Sequence, residues 1–248
     1  MIGIFPLAAI LLRDHPRERA SVADEPFLSA AERDALSEKE GAASRTGNGA
    51  PVGTPFWQRV FSLRFFLIAL IYSAVAFILV GTTVHIVPHA TDQGFTPQES
   101  ALIFLLWGIC AIAGNLISGV SDSLGRVSTF AVGTVLGVCA CVLLASFVRG
   151  MYPVLFYGGA ALSGAGLGLT RPTASALLAD HFSGSGFGKL NGSAVTIFAL
   201  SGALGSFAMG YLFDLSGSYW SGFMVLAAVS LAGAGAAVTL GRMYRPLR

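Results

Sequence analysis

The stretch Phe65–Val87 reads FFLIALIYSAVAFILVGTTVHIV and contains no Asp, Glu, Lys or Arg. As an α-helix, its 23 residues extend about 35 Å, enough to cross a hydrocarbon core of about 30 Å. Apolar and polar residues do not alternate along it, as they do in a strand of a membrane barrel. Only helices and closed barrels satisfy the backbone in lipid, so the stretch predicts a membrane-spanning helix.

Composition extends this prediction to the whole chain of 248 residues, which is 54% hydrophobic and 11% charged with a mean hydropathy of +0.71. An average soluble domain is roughly 25% charged, so an ordinary soluble enzyme, a disordered chain and a basic nucleic-acid-binding domain are excluded. Twelve spans need about 240 residues without loops, so six is the expected number. The other five are predicted at Ala101–Val120, Thr129–Val148, Val154–Leu178, Ala194–Phe213 and Phe223–Leu240. The predicted fold class is an all-α integral membrane protein with a six-helix transmembrane bundle.

The N-terminal residues differ from the bundle. Residues 1–12 contain an apolar run of eleven residues, Ile2–Leu12, that ends in the charged segment Arg13–Arg19. The run is too short to cross a bilayer, so it is interpreted as the truncated tail of a membrane helix, with a short interfacial anchor as the alternative. Residues 13–57 mix both charge signs and are predicted to be a cytoplasmic linker, followed by the membrane domain at 58–248.

The distribution of basic residues predicts the orientation. One side of the bundle carries Arg13, Arg17, Arg19, Arg33, Lys39, Arg45, Arg59, Arg64, Arg126, Lys189, Arg242, Arg245 and Arg248. The other side carries only Arg149. Positive charge marks the cytoplasmic side, so the linker and the C-terminus are expected in the cytoplasm of a multi-pass protein of the plasma (inner) membrane. Aromatic residues expected at the two membrane interfaces are Trp57, Tyr152, Tyr211, Tyr219 and Trp220.

Small residues four positions apart predict close helix packing. The pattern occurs in Gly133–Gly137, Gly164–Gly168, Ser201–Gly205 and Ser206–Gly210.

Arg171 is the only basic residue inside a predicted span. An ionisable residue at membrane depth indicates a functional site, and a guanidinium holds a carboxylate through two parallel hydrogen bonds. At 100° per residue, Gly164, Gly168 and Ser175 lie within about 60° of Arg171, on a face with little apolar bulk. The alternative is that Arg171 reaches toward the interface or pairs with a helix end.

The loop Ser118–Arg126 reads SGVSDSLGR and resembles the G-x-x-x-D-R-x-G-R loop of the major facilitator superfamily. Asp122, Gly125 and Arg126 are in register, whereas Ser118 replaces the first glycine and Ser123 a basic residue. Two further stretches, 84–96 and 202–219, resemble the monocarboxylate-transporter-like branch, which includes oxalate/formate-type exchangers. The resemblance implies that the chain holds the C-terminal half of the fold, helices seven to twelve, with the central loop and the tail of helix six.

The resemblance also implies gating residues. Asp122, Gly125 and Arg126 would form a latch that closes in one carrier conformation and opens in another. Asp180 lies at the end of the fourth span, where a helix C-terminus disfavours an anion. It is predicted to pair with Lys189, Arg126 or His181, with a solvated carboxylate as the alternative.

The first predicted span carries four more candidates. Tyr72 and Thr83 share a face, because eleven residues make three turns, and are predicted to line the substrate cavity with Arg171. Polar contact between helices is the alternative. His85 and His89 are candidates for proton coupling, with an ordinary interfacial role as the alternative. No metal site and no cofactor are predicted, since neither histidine has further ligands nearby in sequence.

The predicted function is therefore one half of a secondary transporter for a small organic anion such as a monocarboxylate, and not an enzyme. Its partners would be the lipid bilayer, the solute and either an N-terminal six-helix half or a second copy, with no nucleic acid. A drug- or sugar-type facilitator half is one alternative, and a truncated product or assembly partner, inactive alone, is another. A six-span serine protease is a third, although Ser163 has only a partial G-x-S-G motif and no later span contains histidine.

Overall fold

The structure, a computed structural model, describes residues 56–147, 152–182 and 186–243. All of them fall within the unit formed by residues 48–248. The predicted helix tail at 1–12 and the linker as far as residue 55 lie outside the described residues. The last two residues assigned to the linker begin a short helix, α1 (Phe56–Val60).

Six long helices form the bundle in the described part of the chain, and each overlaps one predicted span, although the spans predicted at Ala101–Val120 and Thr129–Val148 run past the ends of their helices. They are α2 (Leu63–Asp92), α3 (Pro97–Ile117), α5 (Arg126–Ser146), α6 (Pro153–Phe182), α7 (Phe187–Ser216) and α8 (Trp220–Met243). A 3₁₀ helix (Ser118–Val120) and the short helix α4 (Ser121–Leu124) join α3 to α5. The helices extend beyond the apolar runs because polar turns at both ends remain helical.

Local sequence explains several helix boundaries. Ser62 caps α2 by accepting a hydrogen bond from the backbone N–H of Phe65 at 3.2 Å. Thr96 and Glu99 form a reciprocal capping box at the start of α3, with Pro97 in the first turn. At the end of α7, Gly217 has a φ of 66°, a left-handed conformation that glycine adopts readily.

Five of the six long helices are long and apolar enough to cross a membrane, and α6 is the exception. Glycines, Arg171 and Asp180 lower its hydropathy, but it has 30 residues, as many as α2. Its Phe156 is buried in one core cluster of the bundle and its Phe182 in the other. Helix α6 therefore runs the full length of the bundle beside its neighbours, as the predicted fourth span should.

The two clusters define the ends of the bundle. The loop end, where α2 begins and α6 ends, is filled by Phe65, Ile68, Ile71, Phe130, Leu177, Leu178, Phe182 and Leu240. The histidine end, where α2 ends and α6 begins, is filled by Ile86, Ile103, Leu144, Phe147, Phe156, Tyr219, Phe223 and Leu226. Between them, helix α6 packs on α3, α5 and α2, and helices α3 and α7 lie at the margins.

Glycine lets α6 approach two neighbours on opposite sides. A Cβ atom on Gly164 would lie 2.1 Å from the carbonyl oxygen of Trp107 on α3. A Cβ atom on Gly166 would lie 2.6 Å from the carbonyl oxygen of Gly133 on α5. The backbones are too close for any side chain here, which confirms the predicted small-residue packing.

Candidate functional site

Arg171 lies on α6, eleven residues before Phe182, the last residue of that helix. The distance corresponds to about 16 Å from the loop end, at a depth well inside a hydrocarbon core. Its side chain is exposed and forms no hydrogen bond or ion pair with any described residue. The guanidinium therefore has its full set of five donors available for a ligand.

Two neighbouring helices bring side chains close to the part of α6 that carries Arg171, a polar one from α2 and an apolar one from α7. The side chain of Tyr72 on α2 lies close to that of Ser175 on α6. Ser175 lies one turn beyond Arg171, and its hydroxyl donates to the Arg171 carbonyl at 3.4 Å. The ring of Phe198 on α7 meets the Tyr72 ring edge-on, with centroids 6.3 Å apart. Tyr72, Arg171 and Ser175, called the Arg171 group below, thus adjoin one another, with Phe198 as an apolar neighbour.

The structure corrects the prediction that Gly164 and Gly168 leave room beside Arg171. A Cβ atom on Gly168 would lie 2.3 Å from the carbonyl oxygen of Ala111, and Gly164 packs against Trp107 just as closely. The backbone of α3 fills that face, because small residues in a membrane bundle attract a neighbouring helix rather than leave a void. Of the three residues predicted to share the face of Arg171, Ser175 alone stays exposed.

Thr83 lies on α2 far from the Arg171 group. It follows Tyr72 by eleven residues, or about 16 Å along the helix axis. Its hydroxyl donates to the carbonyl of Leu79 at 2.8 Å. A small solute bound at Arg171 and Tyr72 therefore does not reach Thr83 at the same time.

At the loop end, the turn before α5 is built on Gly125, whose φ is 93°. Only glycine adopts this region without strain, which explains the glycine at this position of the loop. Asp122 belongs to α4, and its side chain lies outside the described part of the structure.

Arg126 and Asp180 form an ion pair, with Arg126 Nε 3.1 Å from Asp180 Oδ2. Arg126 Nη1 also donates to the hydroxyl of Ser121 at 2.8 Å. Arg126 starts α5 and Asp180 is near the end of α6, so the helix dipoles disfavour both charges. Pairing offsets both effects, and of the three partners considered for Asp180 the structure shows Arg126.

At the histidine end, His85 on α2 contacts α7 and the segment that follows it. Its Nε2 donates to the carbonyl oxygen of Ser206 at 3.0 Å, and its Nδ1 lies 3.5 Å from the Tyr219 hydroxyl. A carbonyl oxygen only accepts, so Nε2 carries a proton. Burial raises the pKa of the Tyr219 hydroxyl, as do the carboxylates of Asp92 and Asp214. Tyr219 therefore stays protonated and can donate to His85.

His89 is 3% exposed and closes the same end. Its Nε2 donates to the carbonyl oxygen of Leu144 at 3.0 Å, and its Nδ1 has no partner among the described residues. The rings of Phe156, Tyr219 and Phe223 lie 4.9–5.2 Å from its centroid. Neither histidine contacts the Arg171 group, because His85 follows Tyr72 by thirteen residues, or about 20 Å along α2.

Tyr219 was expected at a membrane interface, and the structure corrects this. It is 6% exposed and stacks on Phe213 with centroids 4.4 Å apart. The other four predicted interfacial aromatics, Trp57, Tyr152, Tyr211 and Trp220, are 52–80% exposed. Sequence position beside a helix end does not distinguish a ring that points outward from one that folds back between histidines.

The described residues give little support to a serine protease or to a metal site. Ser163 is 5% exposed inside the bundle, and His85, His89 and His181 each bond to a backbone carbonyl instead. Within residues 56–147, 152–182 and 186–243, no group of His, Cys, Asp and Glu side chains could hold a metal ion.

Comparison with known proteins decides the family. The model of the Major Facilitator Superfamily matches residues 68–248. The chain belongs to this superfamily. It is also 31% identical over 175 residues to monocarboxylate transporter 13 of Bos taurus, and 29% identical over 168 residues to the protein of that name from Rattus norvegicus. Each alignment covers 65% of this chain and 38% of the relative.

The superfamily assignment fits the helical bundle, so the chain is a multi-pass integral membrane protein of a transporter family, similar to monocarboxylate transporters. It spans about two fifths of the length of the curated relatives it matches. Sequence reasoning anticipated Arg171, Tyr72 and Ser175 but missed Phe198, which lies on another helix. An aromatic residue in an apolar run gives no signal that it borders a polar group.

Proposed function

We propose that this chain supplies one half of a secondary transporter and that Arg171 binds the carboxylate of a small organic anion. The observation that carries the proposal is the exposed guanidinium of Arg171, which has no hydrogen bond or ion pair to any described residue and lies inside the fourth predicted span, near Tyr72 and Ser175. An unpaired charge at this depth is costly, and a carboxylate substrate would neutralise it. The similarity to monocarboxylate transporter 13 supports the same class of solute.

The Arg171 group suits a small molecule with one charged end. The guanidinium would hold both carboxylate oxygens in parallel hydrogen bonds of about 2.8 Å. The Tyr72 hydroxyl can donate to an adjacent oxygen, and the Phe198 ring offers an apolar surface. The Ser175 hydroxyl can donate to the ligand only by giving up its hydrogen bond to the Arg171 carbonyl. The hydrogen bonds recognise the acid group, and the rings tolerate variation in the rest of the molecule.

The margins of the bundle support the half-carrier part of the proposal. Only 17% of the most apolar stretch is buried in α3 and in α7, against 56% in α2 and 44% in α5 and α8. A second six-helix half against α3 and α7 would enclose the Arg171 group, since transporter substrates bind between repeats. The curated relatives are long enough to contain such a half.

Orientation and gating follow the same scheme. The Arg and Lys residues of the linker and the C-terminus support a cytoplasmic position for the loop end. The Arg126–Asp180 pair, with the turn at Gly125 and the carboxyl of Asp122, would then form a cytoplasmic latch. Proton coupling through His85 and His89 stays a prediction, and it would require water or movement to link them to Arg171.

Uptake of labelled carboxylates into proteoliposomes tests the proposal. Sequencing the DNA upstream of Met1 shows whether it encodes an N-terminal half, and such a half is then co-expressed with this chain. We expect no uptake by the purified chain alone and uptake with both halves. Arg171→Ala should reduce it roughly 10- to 100-fold, because a hydrogen-bonded charge contributes about 1.5–3 kcal/mol.

The controls separate the two parts of the proposal. Arg171→Lys keeps the charge and should retain part of the uptake, whereas Arg242→Ala, at the exposed end of α8, should retain all of it. Uptake by the chain alone would overturn the half-carrier assignment. Uptake of neutral sugars or drugs, unaffected by Arg171→Ala, would overturn the anion assignment in favour of another facilitator class.

A further inference from the structure

A small cavity lies in the middle of the bundle, between the two core clusters. Its volume is about 20 Å³, and it is lined by residues of α2, α5, α6 and α8. The lining is apolar except for four hydroxyl groups. These belong to Thr134 on α5, Ser163 and Thr170 on α6, and Ser230 on α8.

The four hydroxyls divide into two pairs. Thr134 donates to the carbonyl of Phe130 at 2.9 Å, and Thr170 donates to the carbonyl of Gly166 at 3.0 Å. Each threonine oxygen therefore keeps lone pairs that can only accept. Ser163 and Ser230 are each 5% exposed, and neither hydroxyl has a hydrogen-bond partner among the described residues. Each serine hydroxyl can therefore still donate a hydrogen bond, and a buried donor without an acceptor is unfavourable.

We propose that this cavity binds one water molecule that joins α5, α6 and α8. The water would accept hydrogen bonds from Ser163 and Ser230 and donate to Thr134 and Thr170. A cavity needs at least about 10–15 Å³ and two to four polar partners to hold a water, and this one provides both. The two serine hydroxyls would donate to the two lone pairs of the water, and its two hydrogens would be accepted by the two threonine oxygens.

Other small ligands fit the lining less well. No carboxylate lines the cavity, so a cation would be buried without a compensating charge. An anion would find two donors and no basic side chain. A dry cavity would leave the hydroxyls of Ser163 and Ser230 unsatisfied.

The proposed site bears on α6, the helix that carries Arg171. Thr170 immediately precedes Arg171, so the water would connect this part of α6 to α5 and α8. Hydrogen bonds through a water exchange partners more readily than interlocked side chains do. The water site does not depend on which solute the protein transports, so its test stands apart from the uptake assay.

Thermal unfolding of the purified chain in detergent gives the first test. Ser163→Ala and Ser230→Ala each remove one partner of the water and should lower Tm by about 2–4 °C. Ser100→Ala is the matched control, since Ser100 is fully buried on α3 with an unpartnered hydroxyl and does not line the cavity. Its Tm should stay unchanged or rise, and the same result for Ser163 and Ser230 would overturn the proposal.

X-ray radiolytic footprinting gives an independent test, because a bound water generates hydroxyl radicals that modify adjacent side chains. Phe130 and Leu167 line the cavity and should be modified more than Phe156 and Leu144, which are also buried but do not line it. Ser230→Val, which fills the cavity, should abolish the difference. Equal modification of both pairs would overturn the proposal. A Tm that rises with NaCl but not with choline chloride, and loses this response in Ser230→Ala, would assign the site to sodium instead.

Discussion

The two ends of the bundle differ in the contacts that α6 makes there, which include a partly exposed ion pair at the loop end and buried ring contacts at the histidine end. At the loop end an ion pair joins α5 to α6 beside the buried cluster that contains Phe130 and Phe182, and its side chains, Arg126 and Asp180, are 28% and 47% exposed. At the histidine end, Phe156 of α6 is fully buried among the rings of Phe95, Phe147 and His89. Breaking the ion pair at the loop end exchanges protein contacts for contacts with water, whereas separating the rings at the histidine end exposes aromatic surface. The comparison indicates that the contact between Arg126 and Asp180 breaks at lower cost than the ring contacts around Phe156.

The same contrast applies to the proposed transport cycle. Alternating access requires each end of the path to open in turn. If the histidine end stays packed within this half, opening there must come from movement between halves, while the loop end can also rearrange locally. Three substitutions test this comparison, from the largest expected effect to the smallest.

Removing a ring from the histidine end should have the largest effect. Phe156→Ala leaves a cavity beside His89 and should lower the free energy of unfolding by about 3–5 kcal/mol. Unfolding of the purified protein in mixed micelles measures the change. Phe207→Ala is the control, because Phe207 is 68% exposed and its loss should change stability by less than about 0.5 kcal/mol. Similar values for both variants would contradict the packed histidine end.

A β-carbon at the loop-end turn should have an intermediate effect. Gly125→Ala places alanine at a φ of 93° and should cost about 1–2 kcal/mol in the same unfolding assay. Gly119 lies in the neighbouring 3₁₀ helix with open space around its Cα, so Gly119→Ala should be tolerated. If Gly119→Ala is as harmful as Gly125→Ala, backbone conformation is not the reason for the glycine.

Breaking the ion pair should have the smallest effect on stability. Asp180→Asn should cost less than about 1 kcal/mol, because the pair is partly exposed to solvent. Salt screens exposed charges, so the difference from the unmodified protein should shrink between low and high ionic strength. Asp214→Asn, at an exposed carboxylate near the histidine end, provides the control. A salt-independent loss above about 2 kcal/mol would show that this end is as tightly held as the other.

Much of the fold could be predicted from the sequence because lipid leaves few choices. Long apolar runs must become helices, so the six helices were placed correctly and only their ends were misjudged. Helix α2 continues through Pro88 to Asp92, since polar residues at the membrane surface can stay helical after the apolar run ends. The spacing of Gly133, Gly164 and Gly205 predicted close packing but not which helices would meet.

The residues of the candidate site also divide into what could be predicted from the sequence and what depended on the fold. Arg171 was identifiable because a charged residue inside an apolar run can be recognised from the sequence alone. The closeness of Ser175 to Tyr72 was not, because residues 72 and 175 come near each other only when α2 and α6 lie side by side. Thr83 shares a helix face with Tyr72, yet it is about 16 Å from the Arg171 group, since periodicity gives direction around a helix and not depth.

The sequence by itself determined the membrane helices, the charge asymmetry of the two sides and the identity of the ionisable residue in the bundle. These follow from local chemistry, because the cost of placing a polar group in lipid depends on residue type. The tertiary structure alone decided that Asp180 pairs with Arg126, that Tyr219 folds inward beside His85 and that α3 fills the face around Gly168. Each of these depends on the relative position of two helices, which packing between distant residues sets and which no single segment encodes.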